Sequence, residues 1–248
     1  MRLFPTSLSV VLALLTLVSV QPALAADRSI DPRVEEILHS MEGFLGGVMT
    51  AEIVGDSSVD VRLEAGLLAE QSATGHMWVE RPGRLRVSMG GDTGPRDIYI
   101  VDGQLSIYTA EKQYYARAAV PKDVDQAVTH AIEVLDMDTP FFDLVHRNPA
   151  DNMLEDVHTG MYLGTSRIRG VECHHLVLRD SDNDIQLWIA TGDRPVPRKI
   201  VITSKWEGGS PRYTTYLDWK ISPKIDPGKF VFVPPEGSVE IKFMSVVD

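Results

Sequence analysis

The stretch GHMWVERPGRLRVSM, residues 75–89, decides the fold. In its second half Leu85, Val87 and Met89 share one face of an extended chain, and charged or polar residues stand between them. This alternation is typical of a β-strand with one buried face. The next segment, RDIYIVDGQLSIYTAEKQYYARA, alternates in the same way around Asp102-Gly103, a two-residue turn that joins antiparallel strands. Consecutive hairpins predict an antiparallel sheet rather than a parallel one.

Three other segments have the spacing of apolar residues that is typical of amphipathic helices. Residues 31–47 begin with a capping aspartate and a proline and end at two glycines. Residues 122–136 form the second segment. The third, residues 139–154, is shorter, and we expect it to be broken near Pro149.

Strands resume after these helices. They begin with SRIRGVECHHLVLRD, residues 166–180, and continue to KFVFVPP, residues 229–235. We find no internal repeat and no linker between domains. The sequence therefore predicts a mainly β (α+β) fold, in which one long, strongly curved antiparallel sheet has helices packed on one side.

The first residues have the features of a secretory signal peptide. Arg2 precedes the apolar run LSVVLALLTLVSV, and Ala23-Leu24-Ala25 is a small-x-small cleavage pattern. The apolar run is shorter than the ~20 residues that a membrane-spanning helix needs. We therefore predict that residues 1–25 are removed, that residues 26–248 form a single exported domain, and that this domain does not span a membrane.

Composition narrows the possible partners. The chain has 24 basic and 35 acidic residues, which gives a net charge of −11. Phosphate backbones and anionic lipid surfaces attract basic proteins, so this balance argues against nucleic acid as a partner and against simple adsorption to anionic lipid. The single cysteine cannot form an internal disulfide, so stability has to come from a buried core.

Cys173, His174 and His175 suggest a metal site at first sight. In a strand, however, adjacent side chains point to opposite faces, so only Cys173 and His175 could bind one ion together. Zinc needs one or two further ligands, and the other histidines have no paired spacing that would supply them. A lone cysteine on an apolar strand usually acts as a small hydrophobic residue. We therefore predict no metal and no cofactor.

Catalytic signatures are also weak. The sequence has no Gly-x-Ser-x-Gly elbow and no phosphate-binding loop. Asp180, Asp182 and Asp184 have the spacing of a calcium loop, but no glycine or distal glutamate completes it, so a solvated turn is expected. We predict that the protein is not an enzyme, and a metal-dependent enzyme using Cys173 and His175 is kept as a remote alternative.

Three segments resemble the periplasmic lipoprotein-carrier family, LolA and its relatives. GHMWVERPGRLRV is similar to the family's Gly-x-Leu-Trp-Val-x-Arg-Pro strand, DTPFFDLVHRN to its Thr-Pro-Phe helix, and GKFVFVPPEGSVEI to its closing strand. The segment between the last two resembles even more closely the DUF2092 group of predicted periplasmic proteins. It shares with that group the patterns Gly-x-x-Cys-x-His-Leu, Trp-Ile and Pro-Arg-Lys.

This resemblance implies an unclosed half-barrel with a helical lid over an apolar cavity. In the carrier family the cavity receives acyl chains, and the arginine of the Arg-Pro motif, here Arg81, is expected to bond to the lid as a latch. The candidate lining residues are Trp78, Leu85, Val87, Ile98, Ile100, Phe141, Phe142, Trp188 and Trp206.

The expected function follows from the same resemblance. It is that of a periplasmic, non-enzymatic binding protein that holds a lipid or a lipoprotein acyl chain. The alternative is an envelope sensor or assembly adaptor that acts through contacts with other envelope proteins.

Overall fold

The computed structural model describes residues 28–135, 137, 149–205 and 211–243. This part of the chain contains three α-helices, which are α1 (Pro32–Gly46), α2 (Val124–Glu133) and α3 (Pro149–Glu155). Its strands are β1 (Ser29–Ile30), β2 (Thr50–Arg62), β3 (Leu68–Glu80), β4 (Arg84–Gly91), β5 (Arg96–Val101), β6 (Gln104–Thr109), β7 (Tyr114–Ala119), β8 (Thr159–Ile168), β9 (Val171–Arg179), β10 (Asn183–Ala190), β11 (Pro197–Ser204), β12 (Arg212–Ile221) and β13 (Val239–Ile241). The predicted signal peptide lies outside these residues and stays a prediction.

The strands form one sheet in the order β1-β8-β9-β10-β11-β12-β2-β3-β4-β5-β6-β7-β13. Pairing of β12 with β2 joins the later strands to the earlier ones. The predicted turn at residues 102–103 joins β5 and β6. Together with the helices on one side, this open order confirms the predicted mainly β, unclosed half-barrel. The edges differ from the prediction, because β1 pairs with β8 and β13 with β7 in parallel.

Two further differences concern the strands themselves. The sequence analysis did not predict β2, because the outer part of this strand is polar and partly exposed and has no clear alternation. It also predicted a strand at residues 229–235, and that prediction was wrong. A short 3₁₀ turn (Pro227–Phe230) begins this segment, and residues 231–235 after it do not pair with any strand. Pro234 and Pro235 have no N–H group to donate to a neighbouring strand.

The helix α1 forms where the sequence predicted it. The side chain of Asp31 accepts a hydrogen bond from the backbone N–H of Arg33, and Pro32 occupies the first helical position. Val34, Leu38, Met41 and Leu45 are its buried residues. Their spacing places them on one side of the helix, so α1 has one apolar face directed at the sheet.

The helix α2 is capped in the same way. The side chain of Asp123 accepts hydrogen bonds from the backbone N–H groups of residues 125 and 126, and small apolar residues face inward. Of the third predicted segment, residues 139–148 lie outside the described residues, and α3 begins at Pro149, where the break was predicted. Proline fits the first helical turn, where its missing N–H costs nothing.

All three helices meet one face of the sheet, which we call the inner face. Its buried residues form a single cluster with residues of α1, α2 and α3. Strand residues in this cluster include Ile53, Met77, Leu85, Ile98, Leu187 and Leu217. The opposite surface, which carries Trp78, Arg86, Tyr99, His175, Trp188 and Tyr216, is the outer face. The core of the described chain therefore lies between the helices and the inner face.

Candidate functional site

Four of the predicted lining residues lie on the inner face. Leu85, Val87 and Ile100 are fully buried, and Ile98 is 1% exposed. All four belong to the cluster that includes residues of α1 and α2. In the described part of the chain, the helices thus cover this apolar surface by direct packing.

A small cavity remains at one end of α1. It has a volume of about 20 Å³, which is room for about one water molecule. Its lining residues are Leu45, Val48, Ala51, Ile53, Val79, Arg81 and Trp219. Typical pockets for small ligands measure ~300–1,000 Å³. An acyl chain would therefore fit here only if a helix moved away from the sheet.

Arg81 connects this region to the helices. It lies in the turn between β3 and β4, and its side chain is only 5% exposed. Its Nε donates to the carbonyl of Val48, just after α1, at 3.2 Å. Its Nη1 forms an ion pair with Oδ2 of Asp125, in the first turn of α2. One guanidinium thus ties the turn of the sheet to both helices.

Trp78, another predicted lining residue, lies on the outer face, so it does not contact the helix-covered surface. Its strand neighbours Met77 and Val79 are in the core cluster, and alternation directs Trp78 to the other side. The ring of Trp78 is covered by two cations, the guanidinium of Arg86 at 5.4 Å and the Nζ of Lys229 at 4.6 Å. On the outer face, cationic side chains thus cover this ring, whereas helices cover the side chains of the inner face.

Trp188 lies on the outer face for the same reason. Its ring stacks on His175 at a centroid distance of 4.0 Å, and Nζ of Lys199 lies 4.6 Å from its ring centroid. His175 also forms a hydrogen bond with Oε1 of Gln186 at 3.1 Å. Burial and the nearby positive charge of Lys199 lower the pKa of His175. Phe141, Phe142 and Trp206 lie outside the described residues.

Cys173 packs beside Trp188 and Val201 on this outer face. It is fully buried, and burial raises the pKa of its thiol, which lowers the fraction of reactive thiolate. No group of three His, Cys, Asp or Glu side chains within the described residues is arranged to hold a metal ion. The predicted turn after β9 is stabilised by Asp180, whose Oδ1 accepts hydrogen bonds from the backbone N–H groups of residues 182 and 183.

A larger cleft, which was not predicted from the sequence, lies between α1, strands β8 and β9, and the end of β10 with the loop that follows it. Its volume is about 270 Å³. The lining residues are Arg33, Glu36, Ile37, Ser40, Tyr162, His174, Ala190, Gly192 and Pro195. They come from three separate parts of the sequence, residues 33–40, 162–174 and 190–195, and no motif links these parts. The only earlier indication was that His174 had to point to the face opposite His175.

Polar groups in this cleft are held in a defined arrangement. The guanidinium of Arg33 lies 4.6 Å from the ring centroid of Tyr162, and Nη2 donates to Oδ2 of Asp31 at 2.7 Å. Hydrogen bonds from Arg33 keep the pKa of Asp31 below its ordinary value. The hydroxyl of Tyr162 lies 3.1 Å from Nδ1 of His174. The cleft thus combines a cation, a hydroxyl and an imidazole above an apolar floor.

Solved structures similar to this chain have low sequence identity to it. Lipoprotein LppX from Mycobacterium tuberculosis is 10% identical with a TM-score of 0.50, over 79% of this chain and 98% of that one. A conserved protein from Thermus thermophilus is 12% identical with a TM-score of 0.49, over 85% and 99%. A LolA superfamily protein from Nitrosomonas europaea is 11% identical with a TM-score of 0.40, over 80% and 97%. At such identities, the likeness to LppX concerns the fold alone.

Searches by sequence gave one family. No curated protein matches the chain. Among the described residues, no helix is long and apolar enough to cross a membrane.

Residues 34–244, most of the chain, match the family described as predicted periplasmic protein (DUF2092). This confirms the resemblance seen in the strands around Cys173. The chain therefore belongs to the DUF2092 family of predicted periplasmic proteins, and the periplasm is its compartment.

Proposed function

We propose that the protein is a non-enzymatic binding protein that holds the acyl chain of a lipid or lipoprotein between the inner face and the helices. The observation that carries this proposal is the continuous apolar inner face, which is covered by helices and tied to them at Arg81. Residues such as Leu85 and Ile100 would contact the acyl chain after the helices move away from the sheet.

The energetics of such a site are favourable for a long chain. Each methylene that leaves water contributes about 0.8 kcal/mol, so affinity grows with chain length without any specific polar contact. The same apolar surface is already buried against α1 and α2. Binding therefore exchanges one apolar partner for another, and the net affinity depends on the free energy needed to displace the helices.

The ion pair of Arg81 with Asp125 sets part of that free energy. Both side chains are largely buried, with exposures of 5% and 14%. Displacing α2 separates the two charges, and the loss of their mutual attraction opposes the displacement. Weakening the pair should raise the population of an open form, and apparent affinity increases in proportion to that population.

Binding of an uncharged acyl probe tests the proposal. The purified, delipidated chain would be titrated with a pyrene-labelled fatty acid methyl ester. Asp125→Asn would be compared with wild type and with the control Asp184→Asn. Asp184 is also paired with an arginine, Arg179, but that pair is more exposed to solvent than the pair of Arg81 with Asp125. We expect saturable binding by wild type, up to about tenfold tighter binding by Asp125→Asn, and no change in Asp184→Asn.

The result that overturns the proposal is equally direct. If neither wild type nor Asp125→Asn binds the probe, while circular dichroism shows both to be folded, the inner face does not accept an acyl chain. A mass-spectrometric lipid extract of the protein purified from its native envelope provides a second readout, and bound lipid there supports the proposal.

A further inference from the structure

The cleft between α1 and strands β8–β10 has the makeup of a site for an amphiphile. Its floor is apolar, because Ile37, Tyr162 and Ala190 either belong to the core cluster or pack against it. Its polar groups are Arg33, Ser40, His174 and Glu36. The floor is therefore continuous with the core between α1 and the inner face, while the polar groups can meet a head group.

Hydrogen-bond donors predominate in the cleft. Arg33 uses Nε and Nη2 for Asp31, and its Nη1 has no hydrogen-bond partner within the described ranges. When the Tyr162 hydroxyl donates to Nδ1 of His174, Nε2 of that ring carries the proton and becomes a donor. The Ser40 hydroxyl can donate as well. Glu36 is the only acidic side chain among the lining residues.

We infer that this cleft binds the carboxylate head of a single-chain amphiphile, such as a long-chain fatty acid, whose tail continues toward the inner face. The inference rests on the proposed function and names the class of ligand. A carboxylate matches the planar guanidinium of Arg33. A cationic head group would be repelled by the guanidinium of Arg33, which lies over the ring of Tyr162.

Size and charge favour this head group over a phosphate or a two-chain lipid. The cleft volume of about 270 Å³ is at the lower end of the range for ligand pockets. Asp31 already neutralises much of the charge of Arg33, and Glu36 adds a negative charge at the rim. A dianionic phosphate would meet more repulsion than a monoanion in this protein of net charge −11.

The test compares palmitate with methyl palmitate, which has the same tail and no charge, by competition with the pyrene-labelled ester. Arg33→Gln removes the cation. It keeps the backbone N–H of residue 33, which donates the capping hydrogen bond to Asp31, so α1 should remain folded. Arg179→Gln is the matched control, because Arg179 is also bonded twice to an aspartate but lies outside the cleft.

In wild type we expect palmitate to bind at least about tenfold more tightly than methyl palmitate, the effect of one hydrogen bond to a charged group. Arg33→Gln should weaken palmitate binding by about tenfold and so abolish most of this preference, whereas Arg179→Gln should keep it. His174→Gln should reduce the preference less.

Three results would overturn the inference. Equal affinity of wild type for palmitate and its methyl ester excludes recognition of the carboxylate. An unchanged preference in Arg33→Gln shows that another site provides it. Tighter binding of hexadecyl phosphate than of palmitate assigns the cleft to a different head group. In all three cases acyl-chain binding, and with it the proposed function, survives. Only a failure of both palmitate and methyl palmitate to bind to the folded protein removes both.

Discussion

The two faces of the sheet bury their large side chains by different means. On the inner face, aliphatic residues such as Leu85 and Ile100 are covered by α1 and α2. On the outer face, aromatic rings are covered by cationic side chains, as Trp78 is by Arg86 and Lys229. The residues that follow β12 add a further cover there, because Phe232 contacts Tyr99 at a ring distance of 5.2 Å.

Trp78 and Trp188 therefore do not mark the proposed binding surface of this sheet. An aromatic ring can lie next to solvent if the stem and charge of a long cationic side chain cover it. An aliphatic side chain has no ring to face a cation, so it gains most from burial against other apolar groups. The proposed surface for an acyl chain is accordingly the aliphatic inner face, and four predictions probe how it differs from the outer face.

The largest effect is expected where the inner face is tied to the helices. Arg81→Ala removes the buried guanidinium that pairs with Asp125, so the free energy of unfolding should fall by about 3–5 kcal/mol. Urea denaturation measures this change. Arg179→Ala removes an exposed ion pair and should cost no more than about 1 kcal/mol. Similar losses in the two variants would contradict the buried tie.

A core truncation on the inner face should have the next largest effect. Leu85→Ala removes a fully buried side chain and should reduce the free energy of unfolding by about 2–5 kcal/mol. It should also change affinity for the methyl ester probe, because Leu85 is one of the proposed contacts. A loss below about 1 kcal/mol would mean that this face is less tightly packed than the structure indicates.

Trp78→Ala should be milder, and Trp78→Phe milder still. The first substitution removes two cation–π contacts, each worth about 0.5–1 kcal/mol at an exposed site, together with partial burial. The second retains a ring for Arg86 and Lys229. Affinity for the acyl probe should be unchanged in both variants, since the ring faces away from the helices. Loss of probe binding in Trp78→Phe would refute the outer-face placement.

The smallest effect is a pH dependence at His175. Burial lowers the pKa of this side chain in the folded protein, so the unfolded chain takes up a proton first as pH falls. Its contribution should therefore decrease stability as pH drops from about 7.5 through its unfolded pKa of about 6.5. Thermal unfolding of His175→Gln should show a shallower loss than wild type over that interval.

His39 provides the matched control with the opposite sign. Its pKa is raised by a hydrogen bond to the Glu35 carbonyl and by Asp151, so its contribution is present at low pH and is lost as pH rises through the folded pKa. His39→Gln should accordingly steepen the loss of stability on acidification. Parallel pH profiles for the two variants would contradict both assignments.

Much of the fold could be predicted locally. The ends of α1 follow from its capping residues, and the turn at residues 102–103 follows from Asp-Gly. Alternation also placed Cys173 and His175 together on one face and His174 on the other, as the structure confirms. The whole of β2 was missed, because the polar and partly exposed residues of its outer part show no clear alternation.

The sequence by itself determined which neighbouring side chains share a face, because the pleat of a strand reverses direction at every residue. Only the tertiary structure decided which face the helices cover, that Asp125 is the partner of Arg81, and that Arg33, Tyr162 and His174 meet in one cleft. Those outcomes depend on contacts between residues far apart in the chain. The free energy of such contacts depends on how whole helices and strands pack against one another, and no local sequence pattern encodes that packing.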